Sequence, residues 1–426
     1  MDTGVFMYNY VKNNLKIIRK YIINFVQMLL FSLAIGAFGG ILGALFHKCI
    51  DMATELRGQK PSVLLFMPVG GIVIVVLYKV FASNKKVNTN LVISSLRQDR
   101  KIPLVMIPLI FVSTVISQLV GSSTGREGAA LQLGGSLGYN AGRLFRLNAD
   151  KIHVLTMTGM AAVFSALFGT PLTAAVFSLE VASVGLIDYT AFLPCVIASV
   201  AANKLAYLLG VSPVNFGHIV FDTQNYVVIK VAILSVMCAV LSIVFCVAVG
   251  KGTKLIKTAI SNPYLRMVVC SAVLVLATFL LGSYDYNGAG MNIVERAMTG
   301  RADSFAFVLK ILFTTVSLAA GFKGGEIVPA FFVGATFGCV VSPLIGLDPV
   351  LGAAIGFVAL FCGVVNCPLA SLILSVEVFG TSELILFAVC CGISYMLSGY
   401  FSLYRSQRIV YSKSDAHLIE KTDFTE

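Results

Sequence analysis

One acidic side chain stands inside a run of small residues: Gly121-Ser122-Ser123-Thr124-Gly125-Arg126-Glu127-Gly128, followed by the apolar stretch 129–137. Small residues let backbone N–H groups approach a ligand, and a helix opening there turns its positive end toward the same point. The chemistry on offer is anion binding by uncharged donors. A second turn of this kind, 321–329, precedes the apolar stretch 330–338, so two helix starts can converge on one site. Glu127 has two readings. It is a helix-capping glutamate, or it is a carboxylate that fills the anion site when ionised and leaves it when protonated, coupling proton binding to anion release. Within a membrane the second reading gains weight, because intramembrane carboxylates are costly and mark ion paths. Glu326 carries the same two readings.

Other residues invite local roles. Glu180 and Glu377 end matching apolar stretches, and their repetition points to an architectural job: bonding exposed backbone N–H groups. Thr89 follows Lys85 and Lys86 on an expected loop, where its hydroxyl either lines a vestibule or closes a turn. Asn88 and Asn90 beside it supply amides. Tyr404, just after the last apolar run, is an interfacial anchor or a phenol donor to an anion. Phe331, Phe332, Phe337, Phe357 and Phe361 read as packing and lipid contact.

The elements that position these residues must be membrane helices. Of 426 residues, 58% are hydrophobic and only 12% charged, about half the charged share of an ordinary soluble protein. Long unbroken apolar runs exclude a cytosolic globular domain, a disordered chain and an outer-membrane barrel. The expected class is an all-α polytopic membrane protein. Twelve apolar runs lie between residues 21 and 403. Several are shorter than the ~20 residues a span requires, and others hold two segments broken at Gly169-Thr170-Pro171, Gly324-Gly325 and Asn366-Cys367-Pro368. Broken helices at membrane depth belong in protein interiors or along watery cavities, which points to a transport fold. The stretch 162–181, AVFSALFGTPLTAAVFSLEV, recurs at 359–378 as ALFCGVVNCPLASLILSVEV. Thr89-Asn90-Leu91-Val92 is likewise echoed by Met291-Asn292-Ile293-Val294. Matched landmarks in one order define an internal repeat.

The formal net charge of +11 is assigned to the positive-inside bias, not to nucleic acid. Lys12, Lys16, Arg19 and Lys20 precede the first run, and Arg405, Arg408, Lys413 and Lys421 follow the last, so both termini are expected in the cytoplasm. The ten Cys and four His show no metal-ligand spacing, and no metal or cofactor is expected. An intramembrane enzyme is disfavoured, since no Ser/His dyad, paired Asp or HExxH is present. The expected boundaries are a cytoplasmic segment 1–20, a transmembrane domain 21–412 with repeat halves at about 85–210 and 285–403, and a short cytoplasmic tail 413–426.

These residues resemble the CLC chloride channels and proton–anion antiporters over about 25–412. Gly125-Arg126-Glu127-Gly128 is similar to the family's gating-glutamate motif, and GGEIVP at 324–329 lies where its second anion motif does. The resemblance implies an inverted repeat of many tilted and broken helices, and a homodimer with one anion pathway per subunit. It makes Glu127 the gating glutamate, places Thr89 near the central serine and Tyr404 at the central tyrosine, and assigns the anion to the backbone amides of Gly128, Glu326 and Ile327. Arg126, Asn90 and Val328 join this anion-binding set. The usual GSGIP loop is replaced by Asn88-Thr89-Asn90-Leu91-Val92, Ala129 stands for a proline, Ile327 for a phenylalanine, and Val181 for the inner proton glutamate. With Glu326 and the run 404–407, these departures resemble the fluoride–proton antiporter branch. Thr89 and Val328 depart from that branch, and the Thr89 hydroxyl leans toward chloride. With no tail of roughly 120 residues after the last apolar run, the paired cytoplasmic regulatory domains of many relatives are not expected. The implied function is transport of fluoride or chloride in a multi-pass cell-membrane protein, as proton-coupled antiport or, alternatively, through a passive voltage- or proton-gated channel on the same fold. The implied partners are halide anions, protons and membrane lipid, with no nucleic acid.

Overall fold

The computed structural model describes residues 3–82, 87–98, 100–217, 226–415 and 417–419, with side chains from residue 14 onward. Lys85, Lys86, Lys421 and the side chain of Lys12 lie outside the described residues. Seventeen α-helices are described, and they fall into two sets in one order. The first set is α1 (Thr3–Gln59), α2 (Met67–Phe81), α3 (Thr89–Ser95), α4 (Met106–Leu119), α5 (Glu127–Leu144), α6 (Ala149–Phe168), α7 (Pro171–Glu180) and α8 (Phe192–Leu208). The second set opens with α9 (Val227–Val247), which runs through a π-helical turn, Ala248–Gly252, into α10 (Thr253–Ala259). It continues with α11 (Pro263–Leu281), α12 (Met291–Ala297), α13 (Ala306–Ala320), α14 (Ile327–Val341), α15 (Pro349–Val365), α16 (Pro368–Phe379) and α17 (Leu384–Leu397). Seven of the described helices are long and apolar enough to cross a membrane. The repeat therefore extends beyond the matched stretches, from α1 paired with α9–α10 to α8 paired with α17.

The breaks lie where the sequence puts them. Gly169 and Asn366, both left-handed, cap α6 and α15, and Pro171 and Pro368 restart the chain as α7 and α16. Each restarted helix begins with backbone N–H groups that lack an intrahelical acceptor. The glutamate at the end of its counterpart supplies one. Glu180 accepts from the N–H of Leu369 (3.2 Å) and Ala370 (2.9 Å), and Glu377 accepts from the N–H of Leu172 and Thr173 (2.8 Å each) and from the Thr173 hydroxyl (2.6 Å). The C-terminal end of each helix thus meets the N-terminal start of the other, so α7 and α16 run antiparallel.

Two further reciprocal pairs locate the same pseudo-two-fold. Gly125 and Gly325 exchange backbone bonds in both directions, at 2.7 and 2.8 Å. The Ser123 N–H donates to Ser317 Oγ (2.9 Å), and the Lys323 N–H donates to Ser117 Oγ (3.0 Å). Equivalent residues facing each other antiparallel require halves of opposite orientation, so the repeat is inverted.

Glycine permits the tightest crossings. A Cβ on Gly134 would strike the Gly159 carbonyl where α5 crosses α6, and one on Gly334 would strike that of Gly356 where α14 crosses α15. Around them the core fills with rings, including Phe331 stacked on Phe357 with centroids 4.0 Å apart. Last, the short strand β1 (Ser183–Val184) pairs in parallel with β2 (Arg408–Ile409), tying the chain after the last helix to the end of α7.

Candidate functional site

Both small-residue turns open helices. In α5 and α14 the first N–H bonded back to its own turn belongs to Ala130 and Ala330. The N–H groups of Gly128 and Ile327 therefore have no backbone acceptor among the described residues. The Gly125–Gly325 exchange holds the two helix starts side by side.

Two cavities approach this pair from opposite ends. The first, about 420 Å³, is lined by Arg57, Arg126, Glu127, Asn292 and Val328 among others. The second, about 630 Å³, is lined by Thr89, Asn90, Gln132, Glu326 and Tyr404 and by the cations Lys254, Lys257, Lys323 and Arg405. They share no lining residue. Two equivalent pairs, Asn90/Asn292 and Arg126/Glu326, each divide between the cavities, as an inverted repeat demands. The end of α1 lines the first cavity, and α2 returns to the side of the second. Residues 402–406 also line the second. The start of α1 and the end of the described chain accordingly lie on that face.

Glu127 sits in the wall between them, fully buried. Its Oε2 accepts from the Arg126 N–H at 3.0 Å. Its Oε1 has no hydrogen-bond partner among the described residues, the Arg126 Nε lying 3.9 Å away. A half-partnered buried carboxylate is expensive and is not what a helix cap alone produces. Arg126 is itself held from outside: its Nη1 donates to His47 Nδ1 at 2.7 Å, and His47 Nε2 lies 2.8 Å from Asp51 Oδ2.

On the other side Thr89 does not lie on a loop, as its setting after Lys85 and Lys86 suggested. It is the first residue of α3, whose Asn88 caps the helix by accepting from the Leu91 N–H at 3.0 Å. Its hydroxyl donates to the Gly128 carbonyl (3.3 Å) and accepts from Gln132 Nε2 (3.0 Å), which ties α3 to the first turn of α5. The Tyr404 hydroxyl is buried with no partner, as is Gln132 Oε1. Tyr404 is aimed by its turn: Gln407 Nε2 donates to the carbonyls of Val181 (3.1 Å) and Val365 (2.7 Å), one from each half, and Asn90 Oδ1 accepts from the Ser406 N–H at 3.0 Å.

The expected site residues thus divide into two groups. Arg126, Glu127 and Val328 line the first cavity, while Thr89, Asn90, Glu326 and Tyr404 line the second. Gly128 and Ile327 are buried in the helix starts near the wall. Sequence reasoning missed Gln132, which stands one helical turn after Gly128 and could have been found from that spacing. It also missed Arg57 and Lys323, whose place on the cavities depends on tertiary structure alone.

Fold and site together define an inverted-repeat membrane protein in which two cavities, of about 420 and 630 Å³, flank a pair of helix starts that carries the Glu127 carboxylate. The voltage gated chloride channel family matches across residues 70–399, and the chain belongs to it. It is 34% identical over 391 residues to a chloride/fluoride channel protein of Pseudomonas syringae pv. tomato, covering 90% of this chain and 86% of that protein. It is also similar to the crystal structure of a CLC-type fluoride/proton antiporter, with a TM-score of 0.86, 30% identity, and 90% of this chain and 98% of that one covered. A slow cyanobacterial Cl−/H+ antiporter shares the fold at a TM-score of 0.75 and 17% identity, covering 87% of this chain and 94% of that one.

Proposed function

We propose that the protein exchanges a halide, fluoride ahead of chloride, for protons across the cell membrane, with Glu127 as the gating glutamate. The observation that carries this reading is the Glu127 carboxylate: buried, bonded through one oxygen only among the described residues, and lining the first cavity at the paired helix starts. Ionised, it stands at the positive end of α5 and competes with an anion for the same N–H groups. Protonated, it loses that attraction and yields the place to a halide held by the amides of Gly128, Glu326, Ile327 and Val328. Each exchange of carboxylate for halide then moves one proton relative to the anion. Glu326, which lines the second cavity beside Tyr404 and Thr89, offers a second carboxylate for that proton.

The names of the two similar proteins, a chloride/fluoride channel protein and a fluoride/proton antiporter, support these ions. The word channel in the first favours a second reading on the same scaffold, in which Glu127 opens and closes a passive path. Apolar outer faces of helices, not basic loops, would join two copies into a homodimer. The positive-inside bias would put the face carrying the second cavity and both termini in the cytoplasm. Transport involves no bond making, so no enzymatic step is required of residues 21–412.

The test of ion identity is efflux from liposomes holding purified protein, followed by fluoride and chloride electrodes in parallel. Fluoride efflux at least as fast as chloride efflux is expected. Chloride efflux with no fluoride movement would reverse the assignment.

A further inference from the structure

A third cavity, about 800 Å³, lies off the transport path between the end of α2, the start of α11 and the turn at 320–323. Lys79, Arg266 and Lys323 line it, together with Tyr78, Asn262 and Tyr264, and among the described residues no Asp or Glu does. Among the described residues the positive groups have no acidic partner in this cavity. The Lys323 Nζ lies 4.1 Å from the centre of the Tyr78 ring and finds no hydrogen-bond acceptor among the described residues. The Arg266 Nε is buried and unpartnered, while its Nη1 donates to the Ile260 carbonyl at 2.9 Å. The Lys79 Nζ stands 5.7 Å from the Tyr264 ring centre. Cations gathered at an unpaired, partly buried place leave room for an anion with several acceptor oxygens.

The surroundings select its source. The α2 and α11 helices turn apolar side chains outward, Val76, Val80 and Phe81 on one and Leu265, Val268 and Val269 on the other, all exposed. Both helices are among the membrane-crossing candidates, and the cavity stands at their ends. A ligand with a phosphate head and hydrocarbon tails fits this arrangement: head among the three cations, tails along the apolar faces. The geometry points to a binding site for an anionic phospholipid, with Lys79, Arg266 and Lys323 on its phosphate.

The site also reaches the transport path, an extension that rests on the proposed exchange function. Lys323 lines both this cavity and the second transport cavity, and it belongs to the turn that carries Glu326. Its backbone N–H is fixed on Ser117 Oγ. A phosphate that draws the ammonium outward removes a positive charge from the path and leaves the turn in place, so the lipid tunes anion entry from the face of the second cavity.

Binding is tested without reference to transport. Purified protein in a neutral detergent is titrated with phosphatidylglycerol, phosphatidylcholine or inorganic phosphate while its melting temperature is followed. The wild type gains stability with phosphatidylglycerol and not with phosphatidylcholine or phosphate. At about 1 kcal/mol per cation, the half-saturating phosphatidylglycerol concentration rises roughly 30-fold in the double variant Lys79→Gln/Arg266→Gln and about fivefold in Lys79→Gln alone. Lys79 is exposed, so that single variant keeps the test open if the double one does not fold. The control Arg19→Gln/Lys20→Gln, on an exposed stretch in the first third of α1, titrates as wild type. Equal titrations for wild type and Lys79→Gln, or the same stabilisation by inorganic phosphate, overturn the lipid site. A shift of the kind described, in a protein that proves not to exchange ions, leaves the lipid site standing and removes only its link to transport.

Discussion

Replacing Glu377 by Ala removes the one acceptor that serves three donors at the start of α7: two N–H groups at 2.8 Å and the Thr173 hydroxyl at 2.6 Å. Hydrogen bonds to a charged acceptor contribute about 1.5–3 kcal/mol each, and donors left buried carry the larger penalty. Thr173 is fully buried, whereas Leu172 is 48% exposed and its N–H can turn to water or lipid headgroups. Counting the two Thr173 bonds, Glu377→Ala costs about 3–6 kcal/mol. Glu180→Ala loses two bonds, of which the longer is 3.2 Å, and costs about 2–3 kcal/mol. The double variant costs less than the sum of the singles, because both caps fasten the same antiparallel pair. The assay is thermal unfolding in detergent, with the ratio of protons to anions moved per turnover measured in liposomes. The expected result is a loss of stability ordered Glu377→Ala, then Glu180→Ala, with the proton-to-anion ratio of the surviving protein unchanged. Wild-type stability together with an altered ratio in either variant would refute the capping assignment and make the residue a proton relay.

Thr89→Met removes the hydroxyl that bonds the Gly128 carbonyl, and one such bond is worth about 1 kcal/mol, or severalfold in relative affinity. The fluoride-to-chloride flux ratio should change by that factor. An unchanged ratio in Thr89→Met, with Tyr404→Phe also silent, would place selectivity elsewhere. Gln132→Leu removes one of the two bonds that tie Thr89 to α5 and should lower anion flux without loss of expression; flux assays at matched protein load check this. Light scattering in detergent should find two copies per particle, and a fully active monomer would count against the dimer.

The sequence made the fold legible through its breaks and its repeat. Gly169, Pro171, Asn366 and Pro368 mark real helix ends, and the Glu180/Glu377 match signals a shared task, which in the structure is reciprocal capping. The two small-residue turns were legible as helix starts because Gly125 and Gly128 in one, and Gly324 and Gly325 in the other, stand before apolar stretches. The bonds across the pseudo-two-fold were less so. Ser117 and Ser317 are an identity in the repeat, yet each bonds the opposite half, and no pattern within one half encodes that crossing. The place of Thr89 after Lys85 and Lys86 reads as a loop, and the seven-residue α3 is too short to show against that; the side chain of Asn88 is its start signal. Lys323 and Arg57 are unremarkable in the sequence and gain meaning only from the cavities they line.

The central claim is that Glu127 exchanges places with the transported anion and carries the proton. At 3.9 Å, the attraction between its carboxylate and the Arg126 guanidinium is about 4 kcal/mol at an effective dielectric constant near 20. Glu127→Gln abolishes this attraction, fills the same space and holds no exchangeable charge. The most direct measurement follows fluoride and external pH together in liposomes loaded with fluoride, with no proton gradient imposed at the start. In wild type, fluoride leaving down its gradient drives protons inward against their own gradient as the lumen acidifies, and in Glu127→Gln fluoride still leaves while proton uptake falls to the protein-free background. Uphill proton uptake at the wild-type rate in Glu127→Gln contradicts the account.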